Sequence, residues 1–316
     1  MAILSVSRRT DIPTFYSEWF IRRLEKGSLM VRNPYNVNQV SIIPLSPETI
    51  DCIVFWTKNP IPMLPKLDRI KYPYYTQFTL TGYGRNMEAG LPDKERLVEA
   101  FQELSRRSDG HVIWRYDPIV FTPEYTPEWH LQQFTRLASK LRGYTKKCVI
   151  SFVDVYNCNR DAMSVAKEYK LSHADLERFC GKLVSVAREN GMEIATCAEV
   201  VDLDRLGIKH NKCIDPDYIE EIIGVPIKNV KDGAQREACG CIESIEVGTY
   251  NTCYNGCKYC YACKDRGEME KNKCRYDPDS PMLCDSLKGF ESISERKIKS
   301  MKDYKALEYR DQLTLF

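Results

Sequence analysis

Val112-Ile113-Trp114-Arg115-Tyr116, then Pro127 through Leu141, then Cys148-Val149-Ile150-Ser151-Phe152-Val153-Asp154: a short apolar run, a helical pattern, and a second short apolar run. Short, nearly continuous apolar runs joined through a helix are the signature of parallel strands buried on both faces. The same alternation extends in both directions. Strands are expected at Ile3–Ser7, Cys52–Trp56, Tyr75–Thr81, Val112–Tyr116, Cys148–Asp154, Glu193–Cys197 and Ser244–Gly248. Helices are expected at Phe15–Leu24, Lys94–Ser105, Pro127–Leu141, Ser172–Glu189 and Pro216–Ile223. Val31–Asn33 and Val40–Leu45, joined through Asn-Pro-Tyr-Asn, read as an inserted hairpin.

This pattern predicts an α/β fold, a TIM-type (β/α) barrel that is complete or partly open. A doubly wound sheet is the alternative, because periodicity carries no information about closure. Residues 1–250 are assigned to the barrel. Residues 251–316 form a cysteine-rich loop and C-terminal extension packed upon it.

The 316 residues are 43% hydrophobic and 28% charged, enough apolar material to exclude disorder of the whole chain. No apolar run approaches the roughly 18 to 20 residues that span a bilayer. The first charges follow a very short apolar stretch, the reverse of a secretory signal, so a cytoplasmic location without membrane contact is expected. Fourteen cysteines in such a compartment are then buried apolar residues or metal ligands rather than disulfides. With 46 basic against 44 acidic side chains, the net charge of +2 creates no field that would draw nucleic acid to the whole surface.

In a barrel the C-terminal strand ends build the active site. Here those ends carry Ser7-Arg8-Arg9-Thr10-Asp11, Thr57-Lys58-Asn59, Thr79-Leu80-Thr81, Arg115-Tyr116-Asp117, Asp154 and Cys197-Ala198-Glu199. Such a polar mouth suits a charged cofactor and a polar substrate. No general acid or base can be assigned among them.

Nine of the cysteines lie between Cys213 and Cys284. Cys52 and Cys148 sit in apolar strands and Cys180 on a helical pattern, so these three read as core. After the last strand comes Cys253-Tyr254-Asn255-Gly256-Cys257-Lys258-Tyr259-Cys260, a C-x3-C-x2-C spacing. Three thiolates on so tight a loop can ligate three corners of a [4Fe–4S] cluster. The fourth iron would then be open to chelate S-adenosylmethionine. Four histidines in the whole chain disfavour a zinc knuckle without excluding it.

The triplet and Tyr259 resemble the radical SAM superfamily signature. That resemblance implies reductive cleavage of S-adenosylmethionine to a 5′-deoxyadenosyl radical, and an electron donor such as flavodoxin or ferredoxin. Superfamily members usually place the triplet after the first strand rather than the last. A circular permutation reconciles the two, with Ser244–Gly248 acting as first strand and Ile3–Ser7 as second. Ser7, Arg8 and Asp11 then become cofactor-binding candidates by position, together with Tyr259, although the usual Gly-Gly-Glu-type signature is absent there. Cys263 extends the motif to a fourth cysteine that could close the cluster.

The wider chain resembles the bacterial family known as domain of unknown function 1848, whose C-terminal cysteines have been likened to the radical SAM cluster. The residues that carry this likeness are Ser5–Pro13, Phe55–Pro60, Thr79–Gly84, Trp114–Pro118 and Cys257–Ala262.

Cys197, Cys213, Cys239 and Cys241 are candidates for a second site, an auxiliary iron–sulfur cluster or a zinc ion, if the strands at 193–197 and 244–248 are neighbours. Cys274 and Cys284 could join Cys263 in a third. The terminal Gln312-Leu313-Thr314-Leu315-Phe316 resembles the pentapeptide by which bacterial polymerases and repair proteins dock on the DNA sliding clamp, with Gln312, Leu313, Leu315 and Phe316 as anchors. It could equally pack back on the chain itself. The leading expectation is therefore a radical SAM-like iron–sulfur enzyme acting on an unknown substrate, DNA repair being one setting. The alternatives are a non-enzymatic iron–sulfur or zinc protein with a closed structural or redox-sensing site, and a clamp-associated DNA accessory protein.

Overall fold

The computed structural model describes residues 3–169 and 171–313. Its centre is an eight-stranded sheet whose strands, in chain order, are β1 (Ile3–Val6), β4 (Cys52–Thr57), β5 (Tyr74–Thr79), β6 (Val112–Ile119), β7 (Lys147–Phe152), β8 (Glu193–Thr196), β9 (Lys209–His210) and β10 (Ile245–Glu246). All neighbours pair in parallel, in the order β10-β1-β4-β5-β6-β7-β8-β9. The hairpin β2 (Ser28–Arg32) and β3 (Gln39–Pro44) pairs antiparallel, and β11 (Ser292–Glu295) adds a parallel third strand beside β3.

The helices are α1 (Ile12–Phe15), α2 (Ser17–Lys26), α3 (Lys94–Arg107), α4 (Pro127–Leu141), α5 (Ser164–Glu168), α6 (His173–Glu189), α7 (Pro216–Ile223), α8 (Arg266–Cys274) and α9 (Tyr304–Leu313). The starts of the long ones are written locally. Asp93, Thr126 and Ser172 each accept a backbone N–H in the first turn of α3, α4 and α6, which satisfies donors the helix cannot bond itself.

Successive strand residues point to opposite faces, and the two faces differ. Leu4, Val6, Ile53, Phe55, Phe78, Trp114, Cys148 and Ile150 face the helices, in one core with Trp19 and Phe20 of α2, Phe101 of α3, Phe134 of α4 and Phe179 of α6. Ile3, Cys52, Val54, Tyr75, Ile113 and Val149 make a second core with Cys213, Ile214, Ile219, Cys241, Ile242 and Met301. Buried Asp51 holds the C-terminal segment against this second core, accepting from Ser300 Oγ at 2.7 Å and Met301 N at 2.6 Å. Along each strand the second face turns polar: Ile3 is followed by Ser5 and Ser7, Val54 by Trp56, Tyr75 by Gln77, Ile113 by Arg115 and Asp117, Val149 by Ser151. That gradient puts the polar groups at the C-terminal strand ends.

The predicted strands and helices all form. Two corrections concern closure. The short strand β9 lies beside β8, and β9 and β10 are the two edges of an open sheet. The strands at 193–197 and 244–248 are therefore not neighbours, contrary to expectation. A two-residue strand made of Lys209 and His210 carries no hydrophobic pattern, which is why it escaped the periodicity. Between the edges, Ile242 N donates to Ile214 O at 3.2 Å.

Candidate metal centre

The chain leaves β10 through Glu246, Val247 and Gly248 and enters the cysteine loop at once. Glu246 organises the junction by accepting from Ser5 Oγ at 2.9 Å, Arg8 N at 3.0 Å, Gly248 N at 3.1 Å and Ser7 Oγ. The loop is then tied down over the ends of β1, β4 and β5. Tyr16 hydroxyl donates to Thr252 O at 2.5 Å, Asn255 Nδ2 to Asp11 Oδ2 at 2.9 Å, and Gly90 N to Asn255 O at 2.9 Å. Glu88 and Cys257 form an antiparallel bridge, and Tyr261 hydroxyl donates to Arg8 O at 2.7 Å. Gly256 has φ +66°, the left-handed region where glycine carries no Cβ penalty, so the turn between the first two cysteines fits its residue.

Under the loop lies a buried charge network. Glu88 is 2% exposed and pairs with Lys58 Nζ at 3.0 Å and Lys94 Nζ at 2.5 Å, and it accepts from the hydroxyls of Tyr259 and Thr81. Burial pushes its carboxyl up, but the two ammonium groups outweigh burial and hold it at about 2. Lys58 also donates to Tyr259 Oη at 2.8 Å. Burial disfavours its charge, yet the Glu88 carboxylate keeps it protonated.

Cys253, Cys257, Cys260 and Cys263 are all partly exposed. Burial pushes the Cys257 thiol up to about 12 against the pull of Lys58. Cys263 Sγ donates to Cys253 O at 3.2 Å, and Cys260 Sγ accepts from Ala262 N at 3.3 Å. Tyr83, Met87, Val120, Tyr125 and Tyr259 pack into an apolar cluster that touches Cys257.

The cofactor candidates at the end of β1 are committed to internal bonds. Asp11 caps α1 through Thr14 N and also accepts from Thr57 Oγ1, Lys58 N and Asn255 Nδ2. Burial raises its pKa and these donors oppose the rise. Ser7 bonds Glu246, and Arg8 reaches Ser244 Oγ at 2.9 Å and Glu246 at 3.7 Å. Arg9 is less engaged, with one 3.4 Å bond to Gly248 O and its guanidinium over the Tyr250 ring.

The mouth beside the loop contains a layered arrangement. Trp56 is flanked by the guanidinium groups of Arg8 at 5.7 Å and Arg115 at 5.4 Å. Arg115 is ion-paired with Asp117, which accepts from Ser151. Glu199 accepts from Phe152 N at 2.8 Å, and burial together with Asp154 and Asp117 lifts its carboxyl to about 7.

The second set of cysteines is brought together in part: Cys197 Sγ and Cys213 Sγ are 3.3 Å apart, and Cys241 Sγ accepts from Ile214 N, next to Cys213, at 3.4 Å. Arg115 Nη1 donates to Cys213 Sγ at 2.8 Å. Among the described residues, however, no group of three or more His, Cys, Asp or Glu side chains is posed to hold a metal ion as it stands.

Residues 3–262 match the family described as domain of unknown function DUF1848. The chain belongs to this family. No curated protein matches it. Among solved structures, a chain assigned as an alpha-L-fucosidase from Bacteroides thetaiotaomicron aligns at 11% identity over 55% of this chain and 82% of that one. Its TM-score of 0.26 carries no argument about fold or activity.

In this DUF1848 chain, several residues that shape the site were invisible to motif reading. Glu88, Lys94, Asn255 and Glu246 act through partners distant in sequence, and no local pattern marks them. Cys52, Cys148 and Cys180 are buried as expected. Cys284 belongs to the helix-side core, while Cys158 and Cys274 are exposed. Gln312 and Leu313 end α9, but Thr314, Leu315 and Phe316 lie outside the described residues. Among the described residues no helix is long and apolar enough to cross a membrane.

Proposed function

We propose that this DUF1848 protein is an iron–sulfur enzyme of the radical SAM type, with Cys253, Cys257 and Cys260 holding a [4Fe–4S] cluster. The observation that carries the reading is the position of the cysteine loop. It follows β10 directly, β10 pairs in parallel with β1, and the loop is bonded to residues at the ends of β1, β4 and β5. That is the arrangement a circularly permuted barrel would have, with β10 as first strand and β1 as second. The sheet itself is open between β9 and β10, so closure is no part of the support for this reading.

The donor set fits the group in chemistry. Three thiols on one loop, beside the Lys58 ammonium, suit an anionic thiolate cluster better than zinc-binding imidazoles, and they need side-chain rotation to converge. When bound, a cluster with one open iron and S-adenosylmethionine supply a radical that abstracts hydrogen from unreactive carbon. The chain's own residues do the positioning. Asp11 and Asn255 lock the loop to β4, and Glu88 holds Lys58 and Tyr259 against Cys257. Arg9, with only a 3.4 Å bond to Gly248 O, offers a cation to an anionic ligand. The substrate class is left to the polar groups around Asp117, Asp154 and Glu199.

One observation favours a second reading. Because Cys263 Sγ bonds the Cys253 carbonyl at 3.2 Å, a four-thiolate closed centre with a structural or redox-sensing role is a specific competitor. Anaerobic reconstitution with iron and sulfide, followed by dithionite and S-adenosylmethionine, separates the two. The enzyme reading expects visible absorption that is lost in Cys257→Ala, and 5′-deoxyadenosine from wild type and from Cys263→Ala alike. A fully loaded wild-type cluster that yields no 5′-deoxyadenosine assigns the closed centre instead. The DNA-clamp and electron-donor expectations rest on sequence resemblance alone.

A further inference from the structure

The geometry points to a second, mononuclear metal site built from Cys197, Cys213, Cys239 and Cys241, which takes a zinc-like divalent ion in tetrathiolate coordination. It is independent of the cysteine loop and of the reading proposed for it.

Three separate segments deliver these thiols. Cys197 follows β8, Cys213 follows β9, and Cys239 and Cys241 lie just before β10. They therefore meet at the gap between the sheet edges, where no ladder joins β9 to β10. A short hairpin presents the last pair: Glu243 N donates to Val230 O at 2.9 Å and Asp232 N to Cys241 O at 2.9 Å. The thiols are neighbours in space: Cys197 Sγ and Cys213 Sγ approach to 3.3 Å, Cys241 Sγ lies 3.4 Å from the amide that follows Cys213, and Cys239 is two residues from Cys241 on the same hairpin.

Cys213 and Cys241 belong to the second core, and Cys197 and Cys239 pack against it. Their surroundings also treat sulfur as an acceptor. Cys213 Sγ receives Arg115 Nη1 at 2.8 Å and Asn211 Nδ2 at 3.1 Å, and Cys241 Sγ receives Ile214 N at 3.4 Å. N–H donors aimed at sulfur stabilise thiolates, and such bonds are the outer shell of metal-bound cysteines. Arg115 is 5% exposed, so its charge acts in a protected site next to the thiolates.

The close sulfur–sulfur approach of Cys197 and Cys213 favours a single ion. With Zn–S near 2.3 Å, the sulfur–sulfur edge of a tetrahedral site is about 3.8 Å. The 3.3 Å approach needs to open only slightly to reach that edge. A cubane of irons and sulfides stands between its ligands and holds their sulfurs much farther apart. Cys213 and Cys241 are buried and Cys197 and Cys239 partly exposed, so rotation of the outer pair closes the set into a tetrahedron. Binding releases the remaining thiol protons to solvent. The ion would then join β8, β9 and the approach to β10, closing by coordination a gap that hydrogen bonding leaves open.

The experiment uses full-length protein carrying Cys257→Ala, which removes metal from the first site, purified anaerobically and assayed for metals and sulfide. The expected result is about one zinc per chain, lost when Cys197→Ser and Cys239→Ser are added. Native iodoacetamide labelling should spare Cys197, Cys213, Cys239 and Cys241 until a chelator is added, a readout that requires no folded variant. Replacement by cobalt(II) should give the intense absorption of tetrathiolate coordination. Equal metal content with and without the two serine changes overturns the site. So do four thiols that alkylate freely without chelator, or a Cys197–Cys213 disulfide. Several irons with matching sulfide, dependent on these cysteines, overturn the mononuclear assignment.

Discussion

Glu88 shows how one residue can decide whether a site is assembled. Its carboxylate is buried between Lys58 and Lys94 and accepts the Tyr259 hydroxyl, so it neutralises two cations next to the cysteine loop. Removing one member of a buried ion network strands the others. Glu88→Gln is therefore expected to lower unfolding stability by about 3 to 5 kcal/mol, the range for broken buried pairs, measured by urea denaturation. A loss below about 1 kcal/mol would mean that the network is solvated. His130 gives the pH counterpart. Its ring lies between Tyr116 Oη at 2.9 Å and Val120 O at 3.1 Å, and burial depresses its pKa to about 4. The unfolded imidazole titrates near 6.5, so the unfolded state takes up a proton first as pH falls. Stability from this group is complete above about pH 6.5 and drains away between there and about pH 4, with about 2 kcal/mol gone at pH 5. Urea midpoints at pH 7.5 and 5.0 should show that slope, and His130→Gln should flatten it. An unchanged slope in the variant would assign the acid sensitivity elsewhere.

At the scale of elements, the contact between the cysteine loop and the segment after β5 constrains sequence through backbone atoms. A Cβ on Gly90 would overlap the carbonyl oxygen of Tyr254, a backbone atom that cannot rotate away. Gly90→Ala should push the loop off the strand ends while leaving the two sheet cores intact. The expected outcome is near-native far-ultraviolet circular dichroism with at least several-fold less iron retained after reconstitution. Full iron retention would show that the loop does not need this seat. The sequence made the interior strands legible because each is a short apolar run, and it made C-x3-C-x2-C legible because the spacing is local. Asn255 to Asp11 and Glu88 to Lys58 were not legible, since such pairs are separated by many residues and carry no period.

At the scale of the molecule, stability should be uneven across the sheet. β4, β5, β6 and β7 are interior strands with both faces buried, whereas β9 and β10 are two-residue edges. Amide exchange tracks local opening, and short edges open first. Hydrogen exchange should be slowest in β4 to β7 and fastest at residues 209–214 and 239–246 in metal-free protein. Adding zinc should slow exchange selectively at that gap, because a ligand bound only to the closed form disfavours opening. Uniform exchange across all eight strands would remove the open-edge account.

The sequence by itself determined the alternation of strand and helix, the polar strand ends and the local cysteine triplet, because each is written in side chains within a few residues of one another. Only the tertiary structure decided the rest. It set the strand order that places β10 beside β1, the edge strand β9, the seat of the loop on Glu88 and Asp11, and the meeting of Cys197 with Cys213, Cys239 and Cys241. Those depend on how distant segments share a buried volume, and burial couples residues with no regard to their distance along the chain.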